Sequence, residues 1–455
     1  MKKTLVAALF LAGLPAVSPG QVVRPPELPP PLVDTLKQPT GELLRQTEQL
    51  QQQLAEQRLR EQLAALATLP DPLQLPAVQD ILTLSGEPLW REVEVEQGFR
   101  AIEREWLLLL TADEWQALLQ RWPELAGYLQ RQQPLPALQL TLVTLKVPAA
   151  LDSASALAQQ FSAELLRYSG RNHLYQPQQQ ASTAAPQAAA QSKASMCNWP
   201  VSLGMVDTDI NTELPALAVQ SGHFNLVARR FLPEQLAASY AHGTAVASLV
   251  AARDPAITPL LPQLTLYSAA AFYASNAVQQ SASLEHLLTA LDWLASQPLQ
   301  VINLSLTGPD NPVLALLIQQ LQARGLSLVA AAGNGGPAAT PLYPAAYPGV
   351  IAVTAVAPDM TPYRWANQGD YIDFAAVGVR VAALTANGQV QPQSGTSLAA
   401  PVVSAAVACW RAAQPQLTHQ QVYQLLMQQA RDLGEPGKDP VTGHGVIESP
   451  LETQL

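Results

Sequence analysis

The chain has 455 residues, enough for two or three folded units, and 48% of them are hydrophobic against 13% charged, so most of it can bury a core. Its formal net charge is -10 and it has no long Lys or Arg run, which excludes a basic footprint for nucleic acid or anionic lipid. Two cysteines exclude a disulfide-rich scaffold; Cys197 and Cys409 read either as a single bridge or as two separate small apolar residues.

In chain order, Lys2 and Lys3 precede an apolar run from Leu5 to Leu14, and small residues and turn formers follow up to Gly20. This is the pattern of an export signal over residues 1–20, to be removed from the mature protein. The run is too short for a membrane anchor, and no later segment reads as a membrane span. Residues 21–90 read as a proline-rich tether, P-P-E-L-P-P-P-L, and a solvated helical spacer over 40–66 whose leucines keep no strict heptad.

Residues 91–176 predict a small α+β unit. A strand at Trp106 to Leu110 leads to Thr111 and Glu114, spaced as a capping box that opens a helix to about Leu125. Extended stretches over 128–138 and the alternating L-Q-L-T-L-V-T-L-K-V follow, then a helix from Ser153 to Leu166 and a short strand from His173 to Gln176. The β-α-β-β-α-β order is that of a ferredoxin-like open-faced sandwich, a shape shared by many functions. Residues 177–195, rich in Gln and Ala, carry too few large apolar side chains to pack and read as an easily cut linker.

Over residues 196–455, apolar strand candidates near Val201, Leu264, Val301, Leu326 and Val350 alternate with helices near Gly243, Ser283, Pro312, Ser397 and Thr418. That alternation predicts an α/β unit with a parallel sheet flanked by helices. In such a sheet, reactive groups belong at the carboxyl ends of strands and on the helix starts that follow. Asp207 ends the strand V-S-L-G-M-V, His242 opens the helix H-G-T-A-V-A-S-L-V-A-A, and Ser397 lies in S-G-T-S-L-A-A-P at the start of an apolar helix. A serine hydroxyl is a poor nucleophile unless an imidazole takes its proton, and the imidazole needs a carboxylate to fix its tautomer.

The segments V-D-T-D, H-G-T-A-V-A-S and S-G-T-S-L-A-A-P, in the order Asp, His, Ser, resemble the three signature segments of the subtilase family. The resemblance extends over residues 196–447 and implies a subtilisin-like fold with Asp207, His242 and Ser397 as a catalytic triad. L-V-A-A-A-G-N-G-G-P resembles the oxyanion-hole segment, implying Asn334 and the Ser397 backbone N–H as donors. V-I-N-L-S-L-T-G-P resembles the substrate-binding strand, implying that Ser305, Leu306 and Thr307 pair with an extended peptide. The primary pocket is expected between that strand and Ala331, Ala332 and Gly333, with Leu342 near its base, shallow and suited to small or medium uncharged side chains.

The resemblance further implies an endopeptidase acting on polypeptides through an acyl-enzyme, without an organic cofactor. Family members often bind calcium for stability, but no contiguous acidic loop is present and no metal site is assigned. No H-E-x-x-H or Cys/His ligand set points to a metalloprotease. Asp209 stands where the family usually has glycine, while His173, His223, His286, His419 and His444 read as surface or structural residues. The 91–176 unit sits where subtilases carry a propeptide, an inhibitor and folding partner of the catalytic unit that is cut free within the linker; a permanent accessory domain is the alternative. The expected location is periplasmic or extracellular. Rival readings are a protein-binding module on the same fold and a protease that cuts only itself.

Overall fold

The computed structural model describes residues 76–177, 180–181, 194–218, 224–276, 279–434 and 436–451. The expected signal, the tether up to residue 75, the spacer helix and His223 lie outside the described residues.

The first unit opens with a hairpin, β1 (Val78–Leu82) and β2 (Pro88–Glu94), and continues through β3 (Arg100–Leu110), α1 (Ala112–Arg121), β4 (Leu129–Leu135), β5 (Leu140–Lys146), α2 (Ala154–Gln160) and β6 (Ser169–Pro177). The hairpin corrects the expectation of a tether running to residue 90. Its sequences V-Q-D-I-L and P-L-W-R-E-V-E do not alternate apolar with polar residues, and Ile81, Leu89 and Trp90 pack on distant parts of the chain, so the local pattern gives no strand signal. The helix expected from Ser153 to Leu166 is also shorter, stopping at Gln160 before a separate 3-10 turn over Leu165–Arg167. The capping box at Thr111 forms: its hydroxyl accepts from Glu114 N–H while the Glu114 carboxylate accepts from Thr111 N–H.

From β3 to β6 the spatial strand order is β4-β5-β3-β6, with every neighbouring pair antiparallel. Alternation along β3 divides its side chains between two cores. Trp106, Leu108 and Leu110 pack with Trp115, Leu125, Leu157 and Phe161 inside the first unit, whereas Leu107 and Leu109 join a cluster with helices of the second.

After β7 (Gln180–Ala181), the second unit runs β8 (Val201–Asp207), β9 (Phe224–Arg230), α3 (Ala241–Ala251), β10 (Leu264–Ala270), β11 (Tyr273–Ala274), β12 (Gln280–Ser283) and α4 (Leu284–Ala295). It continues with β13 (Val301–Leu304), β14 (Leu306–Thr307), α5 (Pro312–Ala323), β15 (Ser327–Ala331), β16 (Ile351–Val356), β17 (Phe374–Val377), β18 (Val381–Leu384), β19 (Val390–Ser394), α6 (Thr396–Ala413) and α7 (His419–Gln429). Seven strands form a sheet in the order β17-β16-β15-β13-β8-β10-β9, with every pair parallel. Because side chains alternate across a pleated strand, Leu203 and Met205 face a core shared with α3 and α6, while Val206 faces one shared with α4 and α5.

Among the described residues, α6 is the one helix long and apolar enough to cross a membrane by composition, but 83% of it is buried inside the unit. An apolar helix buried on all sides is a core helix. Cys197 and Cys409 form a disulfide with Cα atoms 6.1 Å apart, tying the start of the second unit to α6.

Candidate active site

The reversal of strand order around β8 places its carboxyl end beside those of β10 and β13, where loops converge. Asp207, the last residue of β8, is 1% exposed, and both its carboxylate oxygens lie 2.8 Å from His242 Nδ1. Thr208 N–H donates to Asp207 Oδ1 at 2.7 Å, fixing the carboxylate from behind. The Thr208 hydroxyl accepts from Gly243 N–H at 2.7 Å and donates to Asp209 O at 3.1 Å, which binds the end of β8 to the start of α3. A Cβ on Gly243 would lie 2.5 Å from Thr208 O, so only glycine permits this approach.

Asp209 meets Arg230, Oδ2 to Nε at 3.5 Å; burial raises its carboxyl above the usual range while Arg230 opposes the shift. Arg230 also donates to Leu236 O and Ala237 O, in the loop that runs into α3.

Ser397 sits in the first turn of α6, and its carbonyl accepts from the Ser305 hydroxyl at 2.8 Å. Asn303 Nδ2 donates to that hydroxyl, and the Ser404 hydroxyl donates to Asn303 Oδ1, so β13 and α6 are joined by a closed polar chain inside an apolar core. Ser397 Oγ and His242 Nε2 are both buried, and neither has a hydrogen-bond partner among the described residues. The first N–H groups of α6 have no intrahelical acceptor, so they gather donors around Ser397.

Asn334 Oδ1 accepts from both the Thr396 N–H and the Thr396 hydroxyl, each at 3.1 Å, which turns the amide nitrogen away from Thr396. Ala331 and Ala332 are fully buried, and Gly333 N–H donates to the Thr396 hydroxyl at 3.2 Å. A Cβ built on Gly333 would lie 2.9 Å from Leu342 Cδ1, so Leu342 lines the space behind this segment.

Ser305, Leu306 and Thr307 are buried, and the latter two form β14. Antiparallel to β14 runs the chain's own β6, with Pro177 opposite Leu306 and Gln176 opposite Thr307. On its other edge β12 pairs with the same strand, Ala282 opposite Tyr175 and Ser283 opposite Leu174. Beyond residues 178–179, Gln180 stands opposite Ser394 and Ala181 opposite Gln393, immediately before the Ser397 turn. The second groove edge, the polar run at Gln280–Ser283, went unseen in the sequence because it has no strand pattern, as did the bracing roles of Thr208, Thr396 and Asn303.

Of the remaining histidines, His173 Nδ1 lies 3.0 Å from Asn311 Nδ2 and His419 Nδ1 lies 3.2 Å from the Ser327 hydroxyl. His286 packs at a tilt against Trp90, and His444 packs on Phe374 and Tyr423. Among the described residues no group of three or more His, Cys, Asp or Glu side chains is arranged to hold a metal ion.

Against known proteins, residues 200–445, more than half the chain, match the model of the Subtilase family. The chain is 32% identical over 212 residues to the minor extracellular protease Epr of Bacillus subtilis, a match covering 46% of this chain and 32% of that protein. It is 31% identical over 240 residues to subtilisin amylosacchariticus of Bacillus subtilis subsp. amylosacchariticus, covering 51% of this chain and 61% of the relative. The match thus spans less than two thirds of either relative's length. Among solved structures, fervidolysin of Fervidobacterium pennivorans, a keratinolytic enzyme related to subtilisin, superposes with a TM-score of 0.62 at 19% identity, covering 84% of this chain and 64% of that one. With its parallel sheet and this family match over residues 200–445, the chain belongs to the subtilase family.

Proposed function

We propose that the chain is an exported serine endopeptidase made as a precursor that cuts itself. The observation that carries this reading is the Asp207–His242 pair at 2.8 Å beside a groove whose strands already hold an extended segment of the same chain. In the proposed mechanism Ser397 Oγ attacks the peptide carbonyl carbon and His242 Nε2 takes its proton, while Asp207 holds Nδ1–H and balances the imidazolium. The carbonyl oxygen becomes an oxyanion that receives hydrogen bonds from Asn334 Nδ2 and the Ser397 N–H. Collapse breaks the C–N bond, His242 returns the proton to the leaving amine, and water hydrolyses the acyl-Ser397 ester by the same steps in reverse.

Strand pairing is a recognition mode that suits any extended polypeptide, and β12 and β14 supply two edges for it. The register of the chain's own segment supports a self-cleavage position within the linker. Pro177 pairs with Leu306 of β14 and Gln180 with Ser394 of β19, the strand that leads into the Ser397 turn, and this supports a proposed cut between them. The amino-terminal unit, with its antiparallel order β4-β5-β3-β6, is read as a ferredoxin-like inhibitor that delivers its last strand into the groove as a product-like peptide. The disulfide supports export, since such bridges persist in oxidising compartments, and the relative Epr is named an extracellular protease.

The test is the intact mass of signal-free protein beside Ser397→Ala, before and after incubation. Splitting between Pro177 and Gln180 in the wild type alone supports the reading, and splitting in both chains defeats it. If neither splits yet the wild type degrades casein, the amino-terminal unit is a permanent accessory domain. A self-cleaved form that leaves added denatured protein intact is a protease confined to its own chain, a reading the occupied groove also fits.

A further inference from the structure

The β1–β2 hairpin lies outside the β3-to-β6 sandwich and touches neither β14 nor the Ser397 turn by strand pairing; β2 pairs only with β1 and with the first residues of β3. Its apolar side chains nevertheless leave the first unit. Ile81, Leu89 and Trp90 pack with Leu232, Leu236 and Tyr273 of the second unit in a separate buried cluster. The Trp90 ring meets the fully buried Tyr273 edge-on, with centroids 5.2 Å apart.

Polar groups seal the same contact. The Tyr273 hydroxyl donates to Glu92 Oε1 at 2.5 Å, and Arg100 Nη2 stands 3.6 Å from the other oxygen of that buried carboxylate. Gln79 Nε2 donates to Ser275 O at 2.5 Å, and Leu84 N–H donates to Gln235 O at 2.8 Å. A buried carboxylate paired to a buried tyrosine across two units, with an aromatic anchor beside it, has the make-up of an interface centre.

We infer that the Leu232–Leu236–Tyr273 surface, which adjoins the groove edge β12 through β11 but pairs with none of residues 174–177 and 180–181, is a further docking site, and that its ligand is the Val78–Glu94 hairpin of the amino-terminal unit. The inference rests on the reading of that unit as an inhibitor. Groove strands hold the inhibitor as they would hold a substrate and release it as they would a product. The hairpin contact involves none of the residues near the cut bond, so breaking that bond leaves it whole. Together with the packing of β3 and β5 on α4 and α5, it therefore lengthens the time for which the amino-terminal unit stays bound after the chain is cut, and the same surface accepts the hairpin of a second copy added in trans. The loop carrying Leu232 and Leu236 runs on to Tyr240 and His242, so the hairpin seats on the segment that delivers the base.

The test uses the full chain carrying Ser397→Ala and, within residues 182–193, an inserted site for an added site-specific protease. This makes the cut independent of the chain's own activity. After cutting, the two pieces are expected to co-elute on size exclusion, while Trp90→Ala releases the amino-terminal piece at least about 30-fold faster, as loss of an aromatic anchor does. Leu236→Ser, on the opposite side of the contact, is expected to act likewise, so an unfolded Trp90→Ala piece does not remove the test. Release rates unchanged in Leu236→Ser would overturn the inference. Failure of the protease reading is seen separately, as a wild-type chain that neither splits nor degrades casein.

Discussion

Tyr175 offers a sharp test of how the groove selects its occupant. The side chain is fully buried, its hydroxyl donates to Pro309 O at 3.0 Å, and its ring packs against Gly308. A Cβ at position 308 would stand 2.4 Å from Tyr175 Cδ1, 2.6 Å from Cε1 and 2.9 Å from Cγ. Carbon atoms in contact sit about 3.5–4.0 Å apart, so in Gly308→Ala the ring must retreat by about 1 Å into a space already filled. An aromatic side chain of this size buries about 150–250 Å², worth about 4–6 kcal/mol at 25 cal/mol per Å². Partial relaxation of the site returns some of that, leaving about 3 kcal/mol, or roughly 100-fold in association or in kcat/KM. The assay compares peptides with the sequence of residues 172–181 carrying Tyr or Ala at the position of Tyr175. Wild-type enzyme is expected to prefer the Tyr peptide by that factor, and Gly308→Ala to bring the two close to parity. Full preference for Tyr retained by Gly308→Ala would refute the argument.

Asp207→Asn keeps the shape of the pair but reverses the hydrogen-bond demand on Nδ1, and kcat on a peptide at neutral pH is expected to fall about 10⁴-fold; a loss under tenfold would remove Asp207 from the triad. Asn334→Ala is expected to lower kcat by about 100- to 1000-fold with KM little changed, whereas a rise in KM alone would make the residue a substrate contact rather than an oxyanion donor. Replacing both Cys197 and Cys409 by Ser opens a bridge of 212 residues' separation, and the denaturant midpoint of the Ser397→Ala chain should drop by the equivalent of about 4 kcal/mol. Burial pushes His173 and His286 down to about 4 from the ordinary 6.5. The unfolded chain therefore takes up protons first, and stability falls as pH drops from 6.5 toward 4. Burial raises Glu92 and Glu105 above the ordinary 4.5, so acid protonates them more readily in the folded chain and they act in the opposite sense. Thermal midpoints of Ser397→Ala should fall between about pH 7 and about pH 5 and flatten when both histidines become Gln; an unchanged slope in that double variant would exclude them.

The strands ending in Asp207 and passing Val301, the helices opened by His242 and Ser397, and the parallel sheet were legible in the sequence because each rests on local information: apolar runs, small-residue helices and their order. The capping box at Thr111 was legible for the same reason, both partners lying within one turn. The hairpin at Val78–Glu94 and the edge strand Gln280–Ser283 carry no such pattern; they are strands because another part of the chain supplies their hydrogen bonds and their apolar neighbours. Pairing of Cys197 with Cys409 likewise depended on folding, since a sequence separation of 212 says nothing of distance. The residue types able to perform the chemistry, and their order along the chain, were thus determined by the sequence alone. Only the tertiary structure decided that Asp207 faces His242 and that the chain's own residues 174–177 and 180–181 pair with β12, β14 and β19, because those contacts join segments far apart in the chain.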